Sequence, residues 1–297
     1  MNFKNIAIFI TLFSLWLTNY FSGWGQEFFA FFLIFSVGIL HGSNDLAIMN
    51  KLQSVSGFRR FTIVLSSYIL IVILAGALFY WLPEPALLGF ILFSAYHFGE
   101  QHWEGLSNLS PKGIRRLYFM SYGLLILFLL FFTNFDDTQR IIQMLTGQVI
   151  PESLIAYGLI TASIAVLVGT IYLLTTRRID YSRALFEAFL LLVFGIVFKY
   201  ADLIWAFAIY FIYWHSIPSI FGQLKYLYGD VSFPSFKRYL RSSSIIWVVS
   251  VASMLLMFYI FKDNQEIIMP LFFAFLGAIT FAHSFIIARM YGQKKAE

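Results

Sequence analysis

Ten continuous apolar stretches leave this chain few ways to fold. They cover residues 6–20, 28–49, 62–82, 85–98, 117–132, 154–174, 184–198, 203–224, 245–261 and 267–290, with 85–98 and 184–198 among the shortest. Most approach the roughly 20 residues that a helix needs to cross a bilayer. In hydrocarbon every backbone N–H and C=O must be satisfied inside the protein, which restricts such stretches to helices or a closed barrel. The runs are unbroken rather than alternating, so a barrel is excluded and an all-α, polytopic membrane protein is expected. Composition agrees, because only 12% of the 297 residues are charged, against about a quarter in soluble domains. The first run follows Lys4 and resembles the hydrophobic part of a signal peptide. No small-x-small site follows it, so it reads as the first spanning helix.

Basic residues set the expected orientation. With the N-terminus inside, Lys4, Lys51, Arg59, Arg60, Lys112, Arg115, Arg116, Arg177, Arg178, Arg183, Lys225, Lys237, Arg238, Arg241, Arg289, Lys294 and Lys295 fall on the cytoplasmic side. Of the 20 lysines and arginines only Arg140, Lys199 and Lys262 then lie outside, where Glu27, Glu84, Asp136, Asp137, Glu152, Asp202, Asp263 and Glu266 gather. An error of one helix would scramble that alternation. About ten helices with cytoplasmic N- and C-termini, in the cell inner membrane, is therefore the expected topology. Basic loops also account for the net charge of +5 without an acidic partner, and there is no nucleic-acid signature. No internal repeat, low-complexity tract or soluble segment interrupts the pattern, so residues 1–297 read as one integral-membrane domain.

Five histidines stand in this apolar background: His41, His97, His102, His215 and His283. Four of them fall on the second, fourth, eighth and tenth runs, all of which run from outside to inside. His41 lies ten residues before Lys51, His215 ten before Lys225 and His283 eleven before Lys294, so these three share a depth in the cytoplasmic half. His97 ends near the same level, and His102 follows it into a loop. Each ring alone reads as an interhelical hydrogen-bonder. As a group, four neutral imidazoles at one depth suit a transition metal, with iron, copper, zinc and nickel all open; a proton relay is the costlier alternative. The chain has no cysteine, which excludes thiolate and iron–sulfur sites. A metal-bound ring needs its other N–H oriented, for which Asp45 stands four residues after His41, and Glu100 and Gln101 three and four after His97.

The motifs His41-Gly42-x-x-Asp45, Tyr96-His97-Phe98-Gly99-Glu100 and Tyr213-Trp214-His215-Ser216 resemble those of the Brp/Blh family of membrane beta-carotene 15,15'-dioxygenases, and Ala282-His283 resembles that family's late Pro-His. The resemblance implies a non-haem Fe(2+) enzyme that splits beta-carotene with O2 into two retinals, with His41, His97 and His215 as iron ligands; the sequence leaves open a functional link to a rhodopsin. The family has a second histidine four residues after the Trp-His-Ser histidine. Here that position is Ser219, after Pro218. A serine hydroxyl is a poor neutral ligand, so Ser219 is counted among the outer groups, and His283, water or an open position completes the set.

A carotenoid dissolves in the bilayer, so a site reached sideways between helices suits it. Phe93, Tyr96, Trp103, Tyr210, Tyr213 and Trp214, near the motif histidines, are candidates to line it. With 36 Phe, 17 Tyr and 7 Trp, most aromatics simply face lipid or fill the bundle. A non-catalytic metal- or carotenoid-binding membrane protein and a small-solute transporter are the alternatives. A transporter would carry paired broken helices, and Pro218 has no counterpart.

Overall fold

The computed structural model describes residues 3–52, 58–106 and 111–293, and Lys294 and Lys295 lie outside that range. The described residues are helical and contain no strand. The helices are α1 (Phe3–Thr18), α2 (Gly23–Leu52), α3 (Phe58–Trp81), α4 (Pro83–His102), α5 (Lys112–Thr133), α6 (Phe135–Thr146), α7 (Glu152–Thr175), α8 (Tyr181–Tyr200), α9 (Leu203–Tyr228), α10 (Phe233–Ile260) and α11 (Gln265–Gln293). All ten apolar runs are thus helices.

Among the described residues, seven helices are long and apolar enough to cross a membrane: α2, α5, α7, α8, α9, α10 and, over Ile267–Met290, α11. Phe3–Thr18 and, within the 24-residue α3, Leu65–Trp81 are further apolar helical stretches. The remaining one, α4, has the length, but its last turns carry His97, Glu100, Gln101 and His102. Helix α6 was not expected. It has no continuous apolar run, but Phe135, Thr138, Ile142 and Leu145 recur at helical spacing opposite Asp136 and Arg140.

Helix ends follow local chemistry. Asp180 and Ser232 accept backbone N–H bonds from Arg183 and Ser235 at the starts of α8 and α10. Gly229, at φ +89°, closes α9 by donating to Lys225 O. That left-handed conformation favours glycine.

The chain divides into two compact units. Unit 1 comprises residues 1–33, 94–143 and 148–215; unit 2 comprises 34–93, 144–147 and 216–297. The divisions at 33/34, 93/94 and 215/216 fall inside α2, α4 and α9. Within unit 1, α5 packs along α7 and α8, and the first part of α9 packs on the first part of α2. Gly99 on α4 and Gly123 on α5 face the other helix's backbone: a Cβ on Gly99 would lie 1.8 Å from Phe119 O, and one on Gly123 1.7 Å from Ala95 O. Within unit 2, α11 packs on α3 and on the last turns of α2, where Ile48, Ile286, Ile287 and Met290 form a buried cluster.

Candidate metal centre

In unit 2, His41 and His283 meet edge to face, their ring centroids 4.7 Å apart and their planes at 86°. Both are almost fully buried. The His41 ring hydrogen-bonds Gly38 O through Nδ1, and the His283 Nδ1 lies 2.8 Å from Asp45 Oδ1. A carbonyl oxygen only accepts, so His41 carries its proton on Nδ1 and its lone pair on Nε2. His283 takes the same tautomer against the carboxylate. The Tyr68 hydroxyl donates to the other Asp45 oxygen at 3.4 Å.

The His41–Asp45 spacing led to a different expectation. Four residues apart, the two would share one face of an unbroken helix, but the turn at Ser43–Asn44 breaks α2 between them. Asp45 therefore starts a new helical segment and serves His283, while His41 finds its oxygen one turn back.

In unit 1, His97 and His215 form a second edge-to-face pair, 4.8 Å between centroids and 78° between planes. Phe98 stands edge-on to His215 at 4.8 Å and Phe211 stacks on it at 5.3 Å. Gln101 Nε2 donates to the His215 backbone oxygen at 2.8 Å. Glu100 is nine-tenths buried and takes a hydrogen bond from Tyr96, one turn earlier.

A divalent ion about 2.1 Å from each nitrogen sits about 3.2 Å from the ring centroid, so rings on neighbouring positions lie about 4.5–5.2 Å apart. Both pairs have that spacing. Aromatic packing alone produces similar distances. What adds to the fit in unit 2 is the nitrogen chemistry: each Nδ1 is engaged by an oxygen, which is the arrangement a metal-binding ring needs.

A family model described as beta-carotene 15,15'-dioxygenase matches residues 32–291. The chain belongs to that family. No curated protein and no solved structure matches it. The matched segment holds all five histidines of this dioxygenase-family member.

The other candidates fall in varied settings. Ser219 is buried and accepts a hydrogen bond from Gln223, on the same helix, at 3.1 Å. Phe93 is half-exposed and meets Phe281 edge to face at 5.2 Å, and Tyr96 packs against Phe119. Tyr210 is enclosed by Phe98, Phe194 and Phe198, and Trp103 by Tyr118 and Tyr122. Tyr213 and Trp214 face α1: the Tyr213 hydroxyl pairs with Ser14 at 3.2 Å, and the Trp214 indole N–H donates to Thr11 at 2.9 Å.

Glu187, passed over in the sequence because it sits within an apolar run, is the centre of a buried polar cluster. Arg183 approaches one of its oxygens at 2.9 Å, and Tyr122 and His102 approach the other at 2.6 and 3.3 Å. Arg183 also donates to His102 O at the end of α4. An ionisable residue at membrane depth was the available signal. Glu187→Ala should lower stability in detergent unfolding by about 3 kcal/mol, the low end for a broken buried pair, because Arg183 keeps a third of its side chain exposed. Wild-type unfolding of that variant would show that the cluster stabilises nothing.

Proposed function

We propose that this protein is a membrane non-haem iron(II) dioxygenase that cleaves an apolar polyene, beta-carotene foremost, at its central double bond. Both atoms of O2 end in the two retinal aldehydes, and no proton is gained or lost. His41, His97, His215 and His283 hold one iron. The observation that carries this reading is the pairing of buried imidazoles in each unit, in a chain of the beta-carotene 15,15'-dioxygenase family. Iron(II), when bound, supplies activation of O2 beside the alkene.

The chain's own residues bind, orient and keep the site dry. His41 and His283 bind through Nε2; Asp45 fixes the His283 ring, and Tyr68 fixes Asp45. Phe98 and Phe211 shield His215 from water. Phe93 and Tyr96, which keep exposed ring surface, are the members of the aromatic set placed to meet a polyene arriving from lipid. Trp103 and Tyr210 back the ligand helices, and Tyr213 and Trp214 anchor α1. The ten apolar helices cross the inner membrane with both termini in the cytoplasm, as a single integral-membrane domain over residues 1–297.

Expression in carotenoid-producing cells tests the activity. Orange colour should fade as retinal accumulates, and the purified protein should carry about one iron per chain. Persistent pigment beside an iron-loaded protein would remove beta-carotene as the substrate, and about two irons per chain would favour a di-iron enzyme.

A further inference from the structure

Two of the four histidines stand where the helix ladder is interrupted. Helix α2 widens into a π-helical turn over Ile34–Gly38 and breaks after Gly42, just past His41. Helix α9 widens over Phe211–Ser216, which includes His215, and Pro218 follows. Pro218 has no N–H to offer the Trp214 carbonyl, and wide turns depart from the regular i→i+4 pairing. A glutamine side chain reaches a ligand-histidine carbonyl at each interruption. Gln223 Nε2 donates to His41 O at 2.8 Å, and Gln101 Nε2 donates to His215 O at 2.8 Å.

We propose that Gln223 and Gln101 are positioning residues of the metal site: each holds the main chain of one ligand histidine and so sets where its ring aims. This rests on the reading that His41 and His215 bind the metal. Sequence spacing had tied Gln101 to the His97 ring; its bond to the His215 carbonyl gives it a different task.

The two clamps differ in rigidity. Gln223 is fully buried; its Oε1 accepts from the Tyr239 hydroxyl at 3.0 Å, and its Nε2 also reaches Ser219 Oγ at 3.1 Å. Tyr239 in turn approaches His41 O at 3.4 Å, and its own carbonyl accepts from Asn44 at 3.2 Å. Trp247, on the same helix as Tyr239, donates to Phe35 O and Ser36 O in the π turn at 2.8 and 3.1 Å. So the segment before His41 is fixed from α10 and the carbonyl after it from α9. Gln101 has a looser hold, because its buried Oε1 has no hydrogen-bond partner among the described residues. Loss of Gln223 should therefore disturb the metal more than loss of Gln101. Ser219 also gains a role: at the position where the family carries a second histidine, it helps to hold the Gln223 carboxamide.

Cobalt(II) titration of the metal-free, full-length protein in detergent, read by ligand-field absorption, tests the proposal. Wild type should bind one Co(II), and His41→Ala should bind far more weakly. Gln223→Met, which keeps the volume and removes the bonds, should weaken binding by about 10–100-fold, in the range found for groups that orient metal ligands, and should shift the absorption bands. Gln101→Met should weaken it by about tenfold or less. Should Gln223→Met not fold, Tyr239→Phe leaves the amide donor in place and removes its anchor; weaker Co(II) binding with unchanged thermal unfolding of the metal-free protein supports the proposal. Wild-type affinity and spectrum in the folded variants would overturn it and leave the metal site standing. Absence of Co(II) binding by wild type and His41→Ala alike would overturn the metal reading, and the positioning role with it.

Discussion

Alanine at any one of His41, His97, His215 or His283 is expected to reduce bound iron from about one ion per chain to nearly none and to abolish polyene cleavage. In the proposed site, each substitution removes one of the four imidazole nitrogens. Loss of a group that merely orients a ligand costs about 10–100-fold in affinity, so loss of the ligand should cost more than about 100-fold. The fold should survive, since each ring is one of many side chains packed between its helices. His102→Ala provides the contrast. That ring is paired with Glu187, and its loss should loosen the buried cluster while iron stays bound. Iron analysis of the detergent-purified variants distinguishes the cases. Wild-type iron in all four histidine variants would contradict the site.

Gly99→Ala and Gly123→Ala are expected to have the largest effect on folding itself. Their added methyl groups would meet the carbonyl oxygens of Phe119 and Ala95 at 1.8 and 1.7 Å. Both obstacles are backbone, so no rotamer change relieves them and the helices must separate. Ordinary overpacking costs about 1–3 kcal/mol; a forced parting of two helices exceeds that, because the small residues are what let the backbones approach. His97 precedes Gly99 by two residues, so any variant that does fold should also hold metal poorly. Gly113→Ala, on α5 where nothing lies within 4 Å of the new Cβ, should be tolerated. Yields of monodisperse protein and unfolding in detergent measure the difference.

Helices were the legible part of this sequence. Lipid forbids unpaired backbone, so a continuous apolar run has one local solution, and all ten runs are helical. Helix α6 escaped because its signal is periodic rather than continuous. The histidines were visible as polar exceptions, but their surroundings were not, since they depend on where helices are irregular. No residue pattern announced the π turns before His41 and around His215 or the break at Ser43–Asn44, and it was this break that turned Asp45 from His41 to His283. The bond from Gln101 to His215 O escaped for the same reason: spacing along a helix says which groups share a face, not which carbonyl of another helix a side chain reaches. Glu187 was readable, as a carboxylate amid fifteen otherwise largely apolar residues. Its weight became apparent only when Arg183, Tyr122 and His102 were found around it.

The backbone contact between α4 and α5 bears on how the protein is made. Helix α4 is the least suited of the long helices to enter a bilayer by itself, with two histidines, a glutamate and a glutamine in its final turns. Lodged against α5, it hides part of that polarity from the lipid tails. The two helices are therefore expected to enter the membrane as a hairpin rather than one after the other.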